Sequence, residues 1–131
     1  MVVNGKIVQR PNGAFEAIQG VRFAQITDGL SSTILVGEKH VPPYAIGIPP
    51  LDCGMYDGHN PMCNTRGGGP LYPVASSQMD NGWKFGSAHP GLCQFVFCDG
   101  SVHALSNTID PAILGLLAQR DDGQPIPGYE P

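Results

Sequence analysis

Apolar and polar positions follow three different rhythms along this chain. In Cys93-Gln-Phe-Val-Phe-Cys98 and Ser101-Val-His-Ala-Leu105 they alternate with a period near two, and Asp99-Gly100 separates the two runs. Asp-Gly between β-rich runs predicts a hairpin closed by a two-residue type I′ turn, whose central positions both take positive φ. Counting outward pairs Cys98 with Ser101, Phe97 with Val102, Val96 with His103, Phe95 with Ala104 and Gln94 with Leu105. Cys93, Phe95, Phe97, Val102 and Ala104 then share the face expected to point at the core. Gln94, Val96, Cys98, Ser101, His103 and Leu105 share the other, partly exposed face.

The second rhythm is an unbroken apolar run. Thr33-Ile-Leu-Val36 predicts a strand buried on both faces, running on through Gly37-Glu38-Lys39-His40 and stopping at Pro42-Pro43. The third is helical. Ile113, Leu114, Leu116 and Leu117 form a stripe, Asp110 is a good N-cap, Pro111 suits the first turn, Arg120 complements the C-terminal dipole and Gly123 follows as a stop. The spacing predicts a helix over 111–119. Earlier, Asn4-Gly5 and Asn12-Gly13 mark turns around short strand-like pieces, Lys6–Val8 and Ala14–Phe15. Residues 121–131 read as an extended, mobile tail.

Residues 42–82 follow none of these rhythms. Seven Pro and seven Gly stand among these 41 residues. A loop of that length inside a compact domain is normally functional or specially stapled. The whole chain has 131 residues, of which 31 are Gly or Pro and only 14% are charged. That mix excludes a coiled coil or helical bundle. With ten aromatics and a net charge of −4, a wholly disordered chain is excluded as well. The seven Lys and Arg are scattered and the pI is near 5.3, so no basic stripe exists for nucleic acid or anionic lipid. Apolar runs fall far short of the roughly 20 residues that span a bilayer. Met1-Val-Val-Asn-Gly5 lacks the pattern of a signal peptide.

The candidate chemistry is sparse. Cysteines stand at 53, 63, 93 and 98 with no CxxC, which disfavours redox catalysis and zinc ribbons. Cys93 and Cys98, five apart on one strand, lie on opposite faces roughly 16 Å apart and do not bridge. The economical pairing is Cys53–Cys63 with two buried thiols; two bridges from loop to strand are the alternative. Low charge, much Gly and Pro and an even cysteine count tilt toward an exported protein. The histidines at 40, 59, 89 and 103 read as surface or loop residues, since neither HExxH nor an i,i+4 pair occurs. Ser87, His89 and Asp99 have the residue types of a hydrolase triad without a GxSxG elbow. The favoured reading is that His89 pins the loop entering the hairpin near Asp99. Arg66-Gly-Gly-Gly-Pro70 lacks the Lys and Ser/Thr of a phosphate loop and reads as flexible. Asp52, Asp57 and Asn60 supply oxygens that could hold calcium, without the regular loop spacing; ordinary Asx turns are the competing reading. Tyr44, Tyr56, Tyr72, Trp83 and Phe85 read as a satellite core under the long loop, or else as a sugar- or protein-binding surface.

Two segments carry a resemblance. One is Phe85-Gly-Ser-Ala-His89-Pro-Gly followed by Phe95-Val-Phe-Cys-Asp99-Gly100, a His-x9-Asp-Gly pattern; the other is Ile26-Thr-Asp28-Gly29 leading to Gly37-Glu38. Together they resemble the DUF1559 family of planctomycete-type, prepilin-like proteins, over about 21–40 and 83–119. The stretch 42–82 matches nothing in that pattern. The resemblance implies a pseudopilin-like head of a type II secretion or cell-envelope protein, lacking the family's usual N-terminal leader and helix. It offers His89, Asp99, Gly100, Asp28, Gly29 and Glu38 as motif positions and no catalytic residues. Glu38, ending a strand, is expected to find a partner in Arg22, His89 or a backbone N–H.

The reading is a single domain, 1–131, of α+β and mostly β class. It holds an antiparallel sheet, a C-terminal helix and a long loop insertion over 42–82, like a pseudopilin head. The expected function is a non-enzymatic structural or interaction domain, extracellular or in the cell envelope, with protein partners or self-assembly, no nucleic acid and no cofactor. The alternatives are a calcium- or carbohydrate-binding module using the loop and, behind it, a small hydrolase.

Overall fold

The computed structural model describes residues 2–3, 6–7, 12–15, 20–54, 56–57 and 60–128. Strands β1 (Val2–Val3) and β2 (Lys6–Ile7) form a small antiparallel pair. Val8 and His59 lie outside the described residues. The main sheet has three antiparallel strands in the order β3 (Ile34–Gly37), β4 (Leu92–Phe97) and β5 (Val102–Ser106). The short helix α1 (Pro61–Asn64) lies in the long loop, and α2 (Pro111–Leu117) follows β5. An antiparallel sheet with few helices is the α+β, mostly β class expected.

The core forms where α2 covers one face of the sheet. Cys93, Phe95 and Phe97 from β4 meet Ile34, Leu114 and Leu117, and Val74 reaches in from the long loop. Phe85 stands edge-on to Phe95 with ring centroids 5.2 Å apart. The α2 cap is as read: the Asp110 carboxylate accepts from Ala112 N at 2.8 Å, with Pro111 in the first turn. The helix ends at Leu117, however, with Ala118 as its C-cap, so Gly123 is not its stop. Arg120 does not cap a helix end either; its Nη1 donates to the Gly13 carbonyl at 2.7 Å.

The hairpin register differs from expectation by one residue. Gly100 N–H donates to the Phe97 carbonyl and Phe97 N–H to the Ser101 carbonyl, both at 2.9 Å. The connection is therefore the three residues Cys98-Asp99-Gly100, closed by Gly100 at φ +87°. This is the turn-plus-glycine-bulge hairpin, which offsets the strands from the two-residue count. Phe95 pairs with His103, Gln94 with Ala104 and Val96 with Val102. A one-residue slip moves every side chain of a strand to the other face. Val102 and Ala104 accordingly face solvent, while His103 and Leu105 turn inward, the latter packing on the core.

Strand β3 also departs from its expected burial. The register shifts between Ile34 and Val36, a bulge around Leu35. Ile34 enters the main core, Leu35 joins a second cluster with Ala14, Ile26 and Cys98, and Val36 is exposed. Ala14–Phe15 is not a strand; Ala14 serves that second cluster through its small buried side chain. Val36, Val96 and Val102 are direct cross-strand neighbours, so they form a row across the outer face of the sheet.

The glycine run 67–69 is packed rather than free. Any Cβ on Gly115 would sit 3.3 Å from the Gly69 Cα, and one on Gly68 would sit 3.2 Å from the Ala118 Cβ. Backbone meets backbone at Gly115 and Gly69, and a side chain at either glycine would crowd its neighbour. The C-terminal segment is likewise tied down, since Ile126 packs against the main core.

Candidate functional site

Gly37 and Glu38 act as a unit at the end of β3. A Cβ on Gly37 would fall 2.6 Å from the Phe95 ring and 2.7 Å from that of Phe85. Glycine alone lets the strand run this close beneath two aromatics. At the next residue β3 changes partner. Glu38 N–H still donates to the Gln94 carbonyl at 3.2 Å, but the Glu38 carbonyl accepts from Gly86 N at 2.9 Å. A regular ladder would have returned the Gln94 N–H to that carbonyl. Instead the Glu38 carboxylate takes it, Oε2 to Gln94 N at 2.7 Å. The remaining oxygen, Oε1, lies 3.2 Å from Nε2 of His89. The partner expected for Glu38 is thus both His89 and a backbone N–H, and the two motifs meet at this carboxylate.

His89 holds its loop through Glu38 and not through Asp99. Asp99 belongs to the hairpin turn, where Oδ1 accepts from Ser101 N at 2.9 Å and from Ser101 Oγ at 2.6 Å. Those bonds, the hydroxyl first, hold the Asp99 carboxyl below its ordinary value. Ser101 Oγ also lies 2.9 Å from Nε2 of His103. A hydroxyl has one proton to give, and the ionised Asp99 can only accept. With the hydroxyl proton given to Asp99, Ser101 Oγ accepts from the His103 tautomer protonated at Nε2. The sequence reading missed this array; its signal is Ser101 and His103 two apart on one strand, after an Asp that begins an Asx turn.

The three residues weighed as a hydrolase triad bond elsewhere. Ser87 Oγ donates to the Leu92 carbonyl at 3.2 Å and accepts from His89 N at 2.9 Å, His89 faces Glu38, and Asp99 faces Ser101. Asp28 is a clamp. Its two oxygens accept from Gly123 N and Asp122 N, each at 2.8 Å, and tie the C-terminal segment to the turn before β3. Gly29, at φ +100°, offers its carbonyl to Thr33 Oγ1 at 2.9 Å.

In the long loop Cys53 and Cys63 are bridged, with Cα atoms 5.5 Å apart, while Cys93 and Cys98 are free and buried. Burial pushes the Cys93 thiol up to about 12 and raises that of Cys98. The oxygens read as calcium ligands serve local bonds. Asp52 accepts from Gly47 N at 2.8 Å and faces Lys39 at 3.3 Å; both interactions, the backbone bond first, lower its carboxyl. Asn60 accepts from Met62 N at 3.1 Å, an Asx turn as read, whereas Asp57 reaches back to accept from Gly54 N at 3.1 Å, a loop-closing bond and not an Asx turn. Among the described residues no three His, Cys, Asp or Glu side chains are grouped to hold a metal.

The aromatics do not form a satellite core. Phe85 joins the main core, Arg66 lies over the Trp83 ring at 5.9 Å, and Tyr44 and Tyr56 are exposed. Among the described residues thirteen large apolar side chains are exposed, and eight of them stand in 42–82: Tyr44, Ile46, Ile48, Tyr56, Met62, Leu71, Tyr72 and Met79. No helix among the described residues is long and apolar enough to cross a membrane.

A family model described as "Protein of unknown function (DUF1559)" matches residues 1–47 and 54–112. The match reaches through most of the long loop, which the sequence reading had placed outside the family pattern. Neither the curated proteins nor the solved structures contain a match to this chain.

Proposed function

The chain belongs to the DUF1559 family, and from that premise we propose that it is a non-enzymatic interaction domain of a pseudopilin-like protein of the cell envelope or the extracellular space, acting by assembly or surface recognition through residues 42–82. The observation that carries this reading is the placement of exposed apolar side chains. Scattered single apolar residues are normal on a surface, but their concentration in one segment marks a contact region. Eight of thirteen fall in this loop. The loop is also held in shape before any partner arrives, by the Cys53–Cys63 bridge, by the side-chain bonds of Asp52, Asp57 and Asn60 to its backbone and by Val74 in the core. A fixed loop loses less conformational entropy on binding than a free one. The reading needs no cofactor.

Photo-crosslinking tests it. A photoreactive residue placed at Tyr56 or Leu71 of the full chain, expressed in its own cells, is expected to give discrete crosslinked species containing either a second copy or another protein. The same residue at Thr108 or Gln124, exposed positions outside the loop, is expected to give none. Crosslinks of equal yield at all four positions, or at none, overturn the reading.

A further inference from the structure

We infer that the cleft beside His40 is a binding site for a neutral, N-acetylated saccharide. This goes beyond the reading of 42–82 as a protein contact and does not depend on it, since neither Tyr56 nor Leu71 borders the cleft. Two cavities of about 220 and 350 Å³ adjoin here, and His40, Gln78, Ser87 and Ala88 line both. The smaller takes in Ser76, His89 and Asn107, the larger Val41, Pro43 and Ile46. One end of the cleft is therefore polar and the other largely apolar, with His40 at the junction.

His40 carries the inference. It is only 7% exposed, and its Nε2 lies 2.9 Å from the Asp80 carbonyl. A carbonyl can only accept, so in the neutral ring Nε2 holds the proton and Nδ1 is an acceptor. No protein donor among the described residues reaches Nδ1. Nor is that atom sealed away, because the fully buried, unpartnered side-chain polar atoms among these residues are Arg66 Nε and Asp122 Oδ2. A ring more than nine-tenths buried thus keeps one lone pair open to the cleft that it lines. Buried polar groups are satisfied, so this one calls for a donor from outside the chain.

The class of ligand follows from what else is free. Lys39 faces Asp52 at 3.3 Å and His89 faces Glu38 at 3.2 Å, so no lining charge stands alone to recognise an ion. Main-chain donors are engaged as well. Ala75 N–H donates to the Phe85 carbonyl, Ser76 N–H to the Asp80 carboxylate and Gly86 N–H to the Glu38 carbonyl. An extended peptide, which binds by main-chain pairing, finds little here. What remains are the Ser76 hydroxyl and the Gln78 and Asn107 amides, which make no hydrogen bond among the described residues. Such groups donate and accept at once, as neighbouring sugar hydroxyls do. An acetamido group suits the junction, its N–H meeting His40 Nδ1 and its methyl reaching Val41, Pro43 and Ile46. Both cavities lie near or below the low end of the roughly 300–1,000 Å³ of drug-sized sites, which sizes the pair for a disaccharide.

The test is NMR titration of the isotope-labelled full chain with N,N′-diacetylchitobiose. Cellobiose, with hydroxyls in place of the acetamido groups, and trialanine amide are the comparison probes. Diacetylchitobiose is expected to shift the amide signals of 76–78 and 86–89 saturably and to move the His40 Nδ1 resonance. Cellobiose is expected to bind about fivefold to tenfold more weakly, and His40→Gln to weaken diacetylchitobiose about tenfold. Ala88 is exposed and lines both cavities, so Ala88→Phe is expected to abolish binding while thermal unfolding stays unchanged, which keeps the test decisive if the His40 variant does not fold. No saturable shifts, shifts undiminished in Ala88→Phe, or equal binding of cellobiose overturns the inference. Tighter binding of trialanine amide at the same residues also overturns it and marks a peptide cleft. Crosslinks at Tyr56 and Leu71 are read separately, so the saccharide site and the interaction domain can each fail alone.

Discussion

His89 Nε2 lies 3.2 Å from Oε1 of Glu38, while the other oxygen of the same carboxylate takes the Gln94 N–H at 2.7 Å. One side chain therefore joins the end of β3, the start of β4 and the loop between Phe85 and β4. Its two bonds differ in weight. The bond to Gln94 replaces a missing ladder partner, whereas the contact with His89 is half exposed and weak in water.

Glu38→Ala is expected to destabilise the fold by about 1–3 kcal/mol, because it leaves the Gln94 N–H without its acceptor. Glu38→Gln keeps an acceptor oxygen and is expected to cost less, and His89→Ala less than about 1 kcal/mol. Urea unfolding midpoints rank the three. An alanine variant at position 38 as stable as wild type would show that the ladder does not depend on this carboxylate.

The hairpin register gives a second ranking. Leu105 packs on the core and Val102 faces solvent. Leu105→Ala is expected to cost about 1–3 kcal/mol and Val102→Ala about 0.5 kcal/mol or less. The reverse order is what a two-residue turn would produce, so calorimetric midpoints of the two variants decide between the registers.

Cys93 and Cys98 are expected to resist thiol reagents in the native protein at pH 8 and to react fully in urea, since a thiol raised by burial holds little thiolate. The sign for stability follows from the raised value. Cys93 contributes stability in full below its ordinary 9.0, and that contribution fades as pH rises through the range toward 12. Rapid labelling without denaturant would mean that the core opens readily.

The carboxylates act at the other end of the scale. Asp80 is lowered chiefly by the Ser76 N–H, and Asp99 chiefly by the Ser101 hydroxyl. Groups lowered in the folded state contribute stability above their ordinary 3.8 and lose it as pH falls through the folded value. Unfolding midpoints are thus expected to fall below about pH 4, and less steeply in Asp80→Asn and Asp99→Asn. Identical acid limbs in wild type and both variants would remove these two groups from the account.

Much of this protein was determined locally. Asp110-Pro111 starts α2 wherever the helix packs, because the cap is a bond between neighbours. The alternation in 93–97 chooses the buried face of β4, and the spacing of Cys93 and Cys98 excludes a bridge between them, while the choice of Cys53–Cys63 over two loop-to-strand bridges was left to the fold. Other features needed the assembled fold. Asp99-Gly100 announces a turn, but whether two or three residues close it depends on how β5 is held against β4, and that single residue decides whether Val102 or Leu105 meets the core. Glu38 finds its partners across separations of 51 and 56 residues. The glycines at 37, 68 and 115 are set by what stands opposite them. Bonds between near neighbours can be read from spacing, whereas register, close approach and long-range pairing are properties of two surfaces meeting, and only tertiary packing brings those surfaces together.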